Sequence, residues 1–105
     1  MNKVMMVGRL TRDPELRVTA GEQKCSVTRF GIAVPKLKNR ESVDFFNVLC
    51  WERLAEFADK NLRKGTKIAL SGRLENNSYT DNGGKYHPVI EIVAEEIEFA
   101  ESKVS

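Results

Sequence analysis

Residues 42–65 read SVDFFNVLCWERLAEFADKNLRKG, and a change of period inside this stretch decides the architecture. Residues 42–50 form a short apolar run rich in Val and Phe, the signature of a strand. Continued to Trp51, alternation puts Phe45, Asn47, Leu49 and Trp51 on one face and Asp44, Phe46, Val48 and Cys50 on the other. From Glu52 the period lengthens. Leu54, Phe57, Ala58 and Leu62 recur at helical spacing, and Gly65 after Arg63-Lys64 is a C-terminal stop, so a helix is predicted over residues 52–64.

On either side of this unit the chain reads as strands. Residues 2–10 (NKVMMVGRL) and 25–34 (CSVTRFGIAV) are apolar, rich in Val, Ile and Phe, and bounded by turn residues. In residues 66–74 (TKIALSGRL) alternation sends Ile68, Leu70 and Leu74 one way and Lys67, Ala69, Ser71 and Arg73 the other. Residues 87–99 (HPVIEIVAEEIEF) read as a last, bent strand whose Pro88 suits only an edge or an entry position. Three connections carry turn chemistry: 11–22 with Asp13-Pro14 and Gly21, 35–41 with three basic residues, and 76–85 with Asp81-Asn82-Gly83-Gly84. The order is three strands, a helix, then two strands. That is the plan of the OB-fold, a five-stranded Greek-key barrel closed at one end by a helix between its third and fourth strands. The expected class is all-β with one helix, and fold alone leaves function open.

Length and composition narrow the options. The chain's 105 residues fit one domain, expected over residues 1–100, with 101–105 as a short remnant. Hydrophobic residues at 41% and charged residues at 30% suit a globular domain rather than a disordered one. No apolar run approaches the ~20 residues of a membrane span and the N-terminus lacks a signal-peptide layout, so no membrane partner and a cytoplasmic location are expected. Cys25 and Cys50 read as two reduced thiols on strands. The net charge of +2 hides an asymmetry: residues 1–85 hold sixteen basic and ten acidic side chains, while 86–105 hold Lys103 against five glutamates. Such a split fits a basic binding surface with an acidic element elsewhere.

An enzyme is poorly supported. The single histidine, His87, stands beside Pro88 with no metal-ligand spacing, and Gly83-Gly84 belongs to a turn rather than a phosphate loop. Asp13 and Glu15 flank Pro14 and read as turn residues. No catalytic residue, metal or cofactor is expected. A sequence-tolerant binder of single strands needs cations along the phosphates and flat side chains on which bases stack, and here those residue types are present. Trp51 stands at the strand-to-helix junction, where a ring can be half exposed. Tyr79 stands at the tip of the 76–85 connection, Lys36, Lys38 and Arg40 crowd the 35–41 loop, and Arg29 shares a low-bulk face with Val27, Gly31 and Ala33.

The blocks NKVMMVGRLTRDPELR (2–17), DFFNVLCWERLAEFADKNLRKG (44–65) and SGRLENNSYTDNGG (71–84) together resemble the bacterial and phage single-stranded DNA-binding proteins, and the resemblance runs from Asn2 to about Phe99. It implies a helix-capped OB barrel that forms a homotetramer, a dimer of dimers, with single-stranded DNA wrapped outside. It implies that Phe45, Trp51 and Tyr79 stack bases and that Arg9, Arg29 and Arg73 line the DNA path. Phe46 falls at a subunit-interface position, and Lys3 and Met5 lie in the segment that pairs across the dimer. The function implied is coating of single strands in replication, recombination and repair. Two departures stand out. The loop PKLKNRES lacks the aromatic that members usually carry there, which shifts dependence toward Lys36, Lys38 and Arg40. Members also continue into a flexible linker and an acidic tip that recruits replication and repair enzymes, whereas this sequence stops at AESKVS, as either a trimmed chain or a tailless member would, so recruitment is not claimed for it. Two other binding readings remain: an RNA-binding module similar to cold-shock domains, and an assembly subunit similar to primosomal relatives of the family.

Overall fold

The computed structural model describes residues 1–101. Its strands are β1 (Val4–Leu10), β2 (Glu15–Val18), β3 (Ser26–Pro35), β4 (Val43–Trp51), β5 (Lys67–Asn76), β6 (Tyr79–Thr80), β7 (Tyr86–His87) and β8 (Ile90–Phe99), with one helix, α1 (Glu52–Asn61), between β4 and β5. Five strands follow one another as β1-β5-β8-β4-β3, and β1 also pairs with β3, which closes the barrel. All pairings are antiparallel except β4 with β8, where Asn47, Val48 and Leu49 lie beside Glu91, Ile92 and Val93. This is the expected OB plan.

The core follows from period-two alternation. Phe30 and Ile32 of β3, Val48 and Cys50 of β4, Ile68 and Leu70 of β5, and Ile92 of β8 point inward and are buried. Helix α1 covers one end with Ala55 and Ala58, joined by Leu62 just past its last turn. Beneath it, the buried Thr28 hydroxyl donates to the Ala55 carbonyl at 2.8 Å, which satisfies its polar atom inside an apolar layer. On β8 an irregularity opposite Ser71/Gly72 leaves Glu95 outside the ladder, and this bends the strand. Gly72 is required there: a Cβ would lie 2.2 Å from the Val93 carbonyl oxygen.

Several expectations are corrected. The predicted loop 11–22 contains β2, which pairs with β3 from Glu15↔Arg29 to Val18↔Ser26 and widens that sheet by one strand. The single strand expected over 87–99 is two strands, because Pro88 cannot donate to a ladder and the chain breaks there. The connection 76–85 accordingly contains β6, which pairs with β7 as a separate hairpin, so Tyr79 lies in a strand below the tip. Leu74 is exposed, although it shares a face with Ile68 and Leu70, because β1 accompanies β5 only as far as Val4↔Gly72. Helix α1 ends three residues earlier than expected, with Leu62 as the C-cap and Gly65 at φ +89° completing the turn. Of the remnant expected at 101–105, only Glu101 falls within the described residues.

Candidate nucleic-acid interface

The outer face of the barrel is built in rows by strand register. One row runs Arg17, Val27, Trp51 across β2, β3 and β4. The next runs Glu15, Arg29, Leu49, Val93, Arg73 from β2 to β5. A third holds Gly31, Asn47, Glu91 and Glu75, and a fourth Lys67, Arg9, Ala33 and Phe45. In the middle of this outward face Val27, Leu49 and Val93 form a buried cluster of their own, apart from the core. Long side chains of Arg29 and Arg73 stand in the same rows, and such stems cover apolar surface while their charged heads stay in water.

Two rings flank that floor. Trp51 is 41% exposed and Phe45 is 68% exposed on the same face of β4. Six residues at a rise of about 3.3 Å separate them by about 20 Å along the strand. The Trp51 ring is held where strand meets helix. Trp51 is the N-cap and supplies no side-chain cap, and Glu52 after it takes φ +56°, a conformation that costs a non-glycine residue about 1–3 kcal/mol. The Glu52 carboxylate offsets part of that cost by accepting from the Ser26 amide at 3.1 Å. The third aromatic, Tyr79, is 54% exposed on the β6–β7 hairpin.

Most of the expected cations face a carboxylate. Arg29 Nε stands 3.6 Å from Glu91, whose residue is 8% exposed and whose other oxygen accepts from Asn77 Nδ2 at 2.8 Å. Arg73 faces Glu75 at 3.5 Å and Glu95 at 3.9 Å. Arg9 donates to both oxygens of Glu101 and to the Gly65 carbonyl. The Glu101 pairing tightens the guanidinium's hold on its proton and keeps the Glu101 carboxyl below its ordinary range. Lys36 bonds Asp44. Lys38, also expected, is exposed and has no carboxylate partner among the described residues.

Two further cations on this face escape the sequence reading. Arg17 does so because turn residues on both sides disguise β2 as loop. Arg12 lies over Gly31: a Cβ on Gly31 would meet the Thr11 hydroxyl at 2.3 Å and the Arg12 guanidinium at 3.0 Å. The low bulk of the Val27–Ala33 face is the available signal. What crosses it is set by the turn after β1, where the Thr11 amide donates to the Gly31 carbonyl at 2.9 Å.

The residues expected at an assembly interface lie elsewhere. Met5 is exposed on β1 with Val7, opposite Ser71 and Ala69 of β5, and Lys3 pairs with Glu95 at 3.1 Å. Phe46 is on the inward face of β4, across from Ile32, yet remains partly exposed. His87, which stands beside Pro88 without metal-ligand spacing, stacks on Tyr79 and bonds Asp81. No helix among the described residues is long and apolar enough to cross a membrane.

Comparison with known proteins identifies the family and the fold. The family model described as "Single-strand binding protein family" matches residues 1–100. A Fusobacterium nucleatum protein named single-stranded DNA-binding protein is 40% identical over 111 residues, spanning 100% of this chain and 70% of its own. A Caldanaerobacter subterraneus protein of the same name is 36% identical over 107 residues, spanning 98% of this chain and 70% of its own. Among solved structures, a deletion mutant of the single-stranded DNA binding protein from Thermus aquaticus superposes with a TM-score of 0.76 at 34% identity. That match spans 100% of this chain and 43% of the Thermus aquaticus chain.

Proposed function

Because this chain belongs to the single-strand binding protein family, we propose that it binds single-stranded DNA with little sequence preference on the outer face of β3, β4, β5 and β8. The observation that carries this reading is the pairing of exposed Trp51 and Phe45 with an apolar floor bordered by Arg29 and Arg73. Bases stack on Trp51, Phe45 and Tyr79, and any base serves, because every base has a π-face. Phosphates take Arg9, Arg12, Arg17, Arg29, Lys36, Lys38 and Arg73 as counter-ions and release condensed cations, so binding weakens with salt.

Bound to unpaired strand alone, the protein melts hairpins by mass action and shields the strand during replication, recombination and repair. It acts by binding, not by catalysis. The exposed strip of Met5 and Val7 on β1, with the partly exposed Phe46 on β4, supports self-association into a homotetramer.

Titration of Trp51 fluorescence with poly(dT) at several salt concentrations tests the reading. Quenching that saturates at a fixed nucleotide-to-protein ratio, with affinity falling linearly in log salt, is expected. Trp51→Ala, followed with a labelled dT oligomer, is expected to cost about 1–3 kcal/mol of binding. Unchanged affinity in a folded variant would make Trp51 a structural residue.

A further inference from the structure

The β6–β7 hairpin carries a side-chain arrangement that the barrel does not need. It forms its own two-stranded sheet, in which Tyr79 lies directly across from His87. Their rings are stacked, with centroids 4.8 Å apart and planes inclined by 14°. That separation at near-parallel inclination is the offset arrangement that aromatic quadrupoles favour. His87 Nε2 lies 2.8 Å from Asp81 Oδ2, and the second carboxylate oxygen of Asp81 accepts from the Gly83 and Lys85 amides, each at 2.9 Å. Asp81 therefore ties the hairpin tip to the histidine ring. The hydrogen bond from His87, then that from the Lys85 amide, hold the Asp81 carboxyl below its ordinary range. As a carboxylate it only accepts, so Nε2 of His87 carries a proton.

We propose that His87 is a positioning residue for nucleic-acid binding: it covers one face of Tyr79 and fixes that ring, leaving the opposite face to stack a single nucleobase. The proposal rests on the reading of Tyr79 as a base-stacking residue. An isolated two-stranded hairpin is marginally stable in water, and a half-exposed tyrosine on it would lose rotamer freedom when a base docks. The His87 ring removes that freedom beforehand. A base then adds to an existing stack, in the sequence base, Tyr79, His87, with Asp81 anchoring the far end. Thr80 and Tyr86, the other cross-strand pair of the hairpin, make no ring contact with this stack among the described residues.

The test is a double-mutant cycle on the full chain, read by anisotropy of a labelled dT oligomer, with thermal unfolding confirming that each variant is folded. His87→Val keeps a residue suited to a strand but removes the ring, and is expected to weaken binding about fivefold while Tyr79 is present. In a Tyr79→Leu background the same change is expected to leave affinity unaltered. His87→Phe, which restores a stacking ring without the hydrogen bond, is expected to recover affinity to within about twofold of the parent. Wild-type affinity in folded His87→Val would overturn the proposal, as would an equal loss in both Tyr79 backgrounds or no rescue by phenylalanine. Unchanged affinity in Tyr79→Leu would overturn it together with the stacking role of Tyr79. Absence of binding by the unmodified chain would instead refute the single-strand function itself.

Discussion

Replacing Glu91 with glutamine should make this protein bind single strands more tightly. Glu91 occupies the centre of the outer face, beside Asn47 on β4 and across from Glu75 on β5. Its carboxylate stands 3.6 Å from Arg29 Nε. A phosphate reaching for Arg29 must compete with that carboxylate and is repelled by it. Two unit charges at about 4 Å interact by ~1 kcal/mol in water and by ~4 kcal/mol near a protein surface. The Arg29 side chain is half exposed, so screening places the pair at the lower end, about 1 kcal/mol or fivefold in affinity at low salt. Freeing one cation for one more phosphate should also steepen the plot of log K against log salt by about 0.7. Glutamine keeps the carbonyl oxygen that accepts from Asn77, and it relieves the like-charge pair with Glu75, so the fold should be no less stable. The assay is titration of Trp51 fluorescence with poly(dT) over a salt series in both proteins. Weaker binding, or an unchanged slope, would mean that Glu91 braces Arg29 in its binding position rather than occupying it, and would refute the competition argument.

Three further outcomes follow from the same geometry. The double variant Lys36→Ala/Lys38→Ala should flatten the salt slope by about 0.7 for each phosphate no longer neutralised, with Lys38 contributing more because Asp44 already engages Lys36; an unchanged slope would remove this loop from the binding path. Thiol alkylation of the native protein should modify half-buried Cys25 and spare Cys50, whose thiol burial pushes from the ordinary 9.0 up to about 12; the unfolded chain loses that proton first, so Cys50 lowers stability as pH rises through this window, and fast labelling of both thiols would contradict it. Gly72→Ala should lower unfolding free energy by about 1–3 kcal/mol in a denaturant titration, because the new methyl meets the Val93 carbonyl at 2.2 Å; a neutral result would mean the β5–β8 ladder yields there at no cost.

Much of the architecture was legible because it depends on periods carried by neighbouring residues. Alternation in β4 separates Phe45 and Trp51 from Val48 and Cys50, and the structure keeps that separation. The helix is visible as a change of period, and its position between the third and fourth barrel strands is enough to name the barrel. Where local signals compete, the reading fails in identifiable ways. Turn residues Asp13-Pro14 and Gly21 hide β2, which is only four residues long and exposed on both faces, too short for its alternation to stand out between them. Pro88 splits one apparent strand in two.

The five barrel strands, the division of their residues between two faces, and Trp51 and Tyr79 as aromatic candidates were legible in the sequence alone, since a side chain's direction in a strand depends on its place in a two-residue repeat. Only the tertiary structure decided what each outward residue stands beside. Register between strands distant in the chain puts Arg29 opposite Leu49 and then Val93 and Arg73, and brings Glu91 against Arg29. A one-residue slip in any pairing would dissolve those rows without altering a single local period. For the same reason the Arg12 guanidinium over Gly31 and the His87 ring against Tyr79 are products of chain crossing and hairpin pairing. Local periodicity chooses the face, and long-range register composes the site on it.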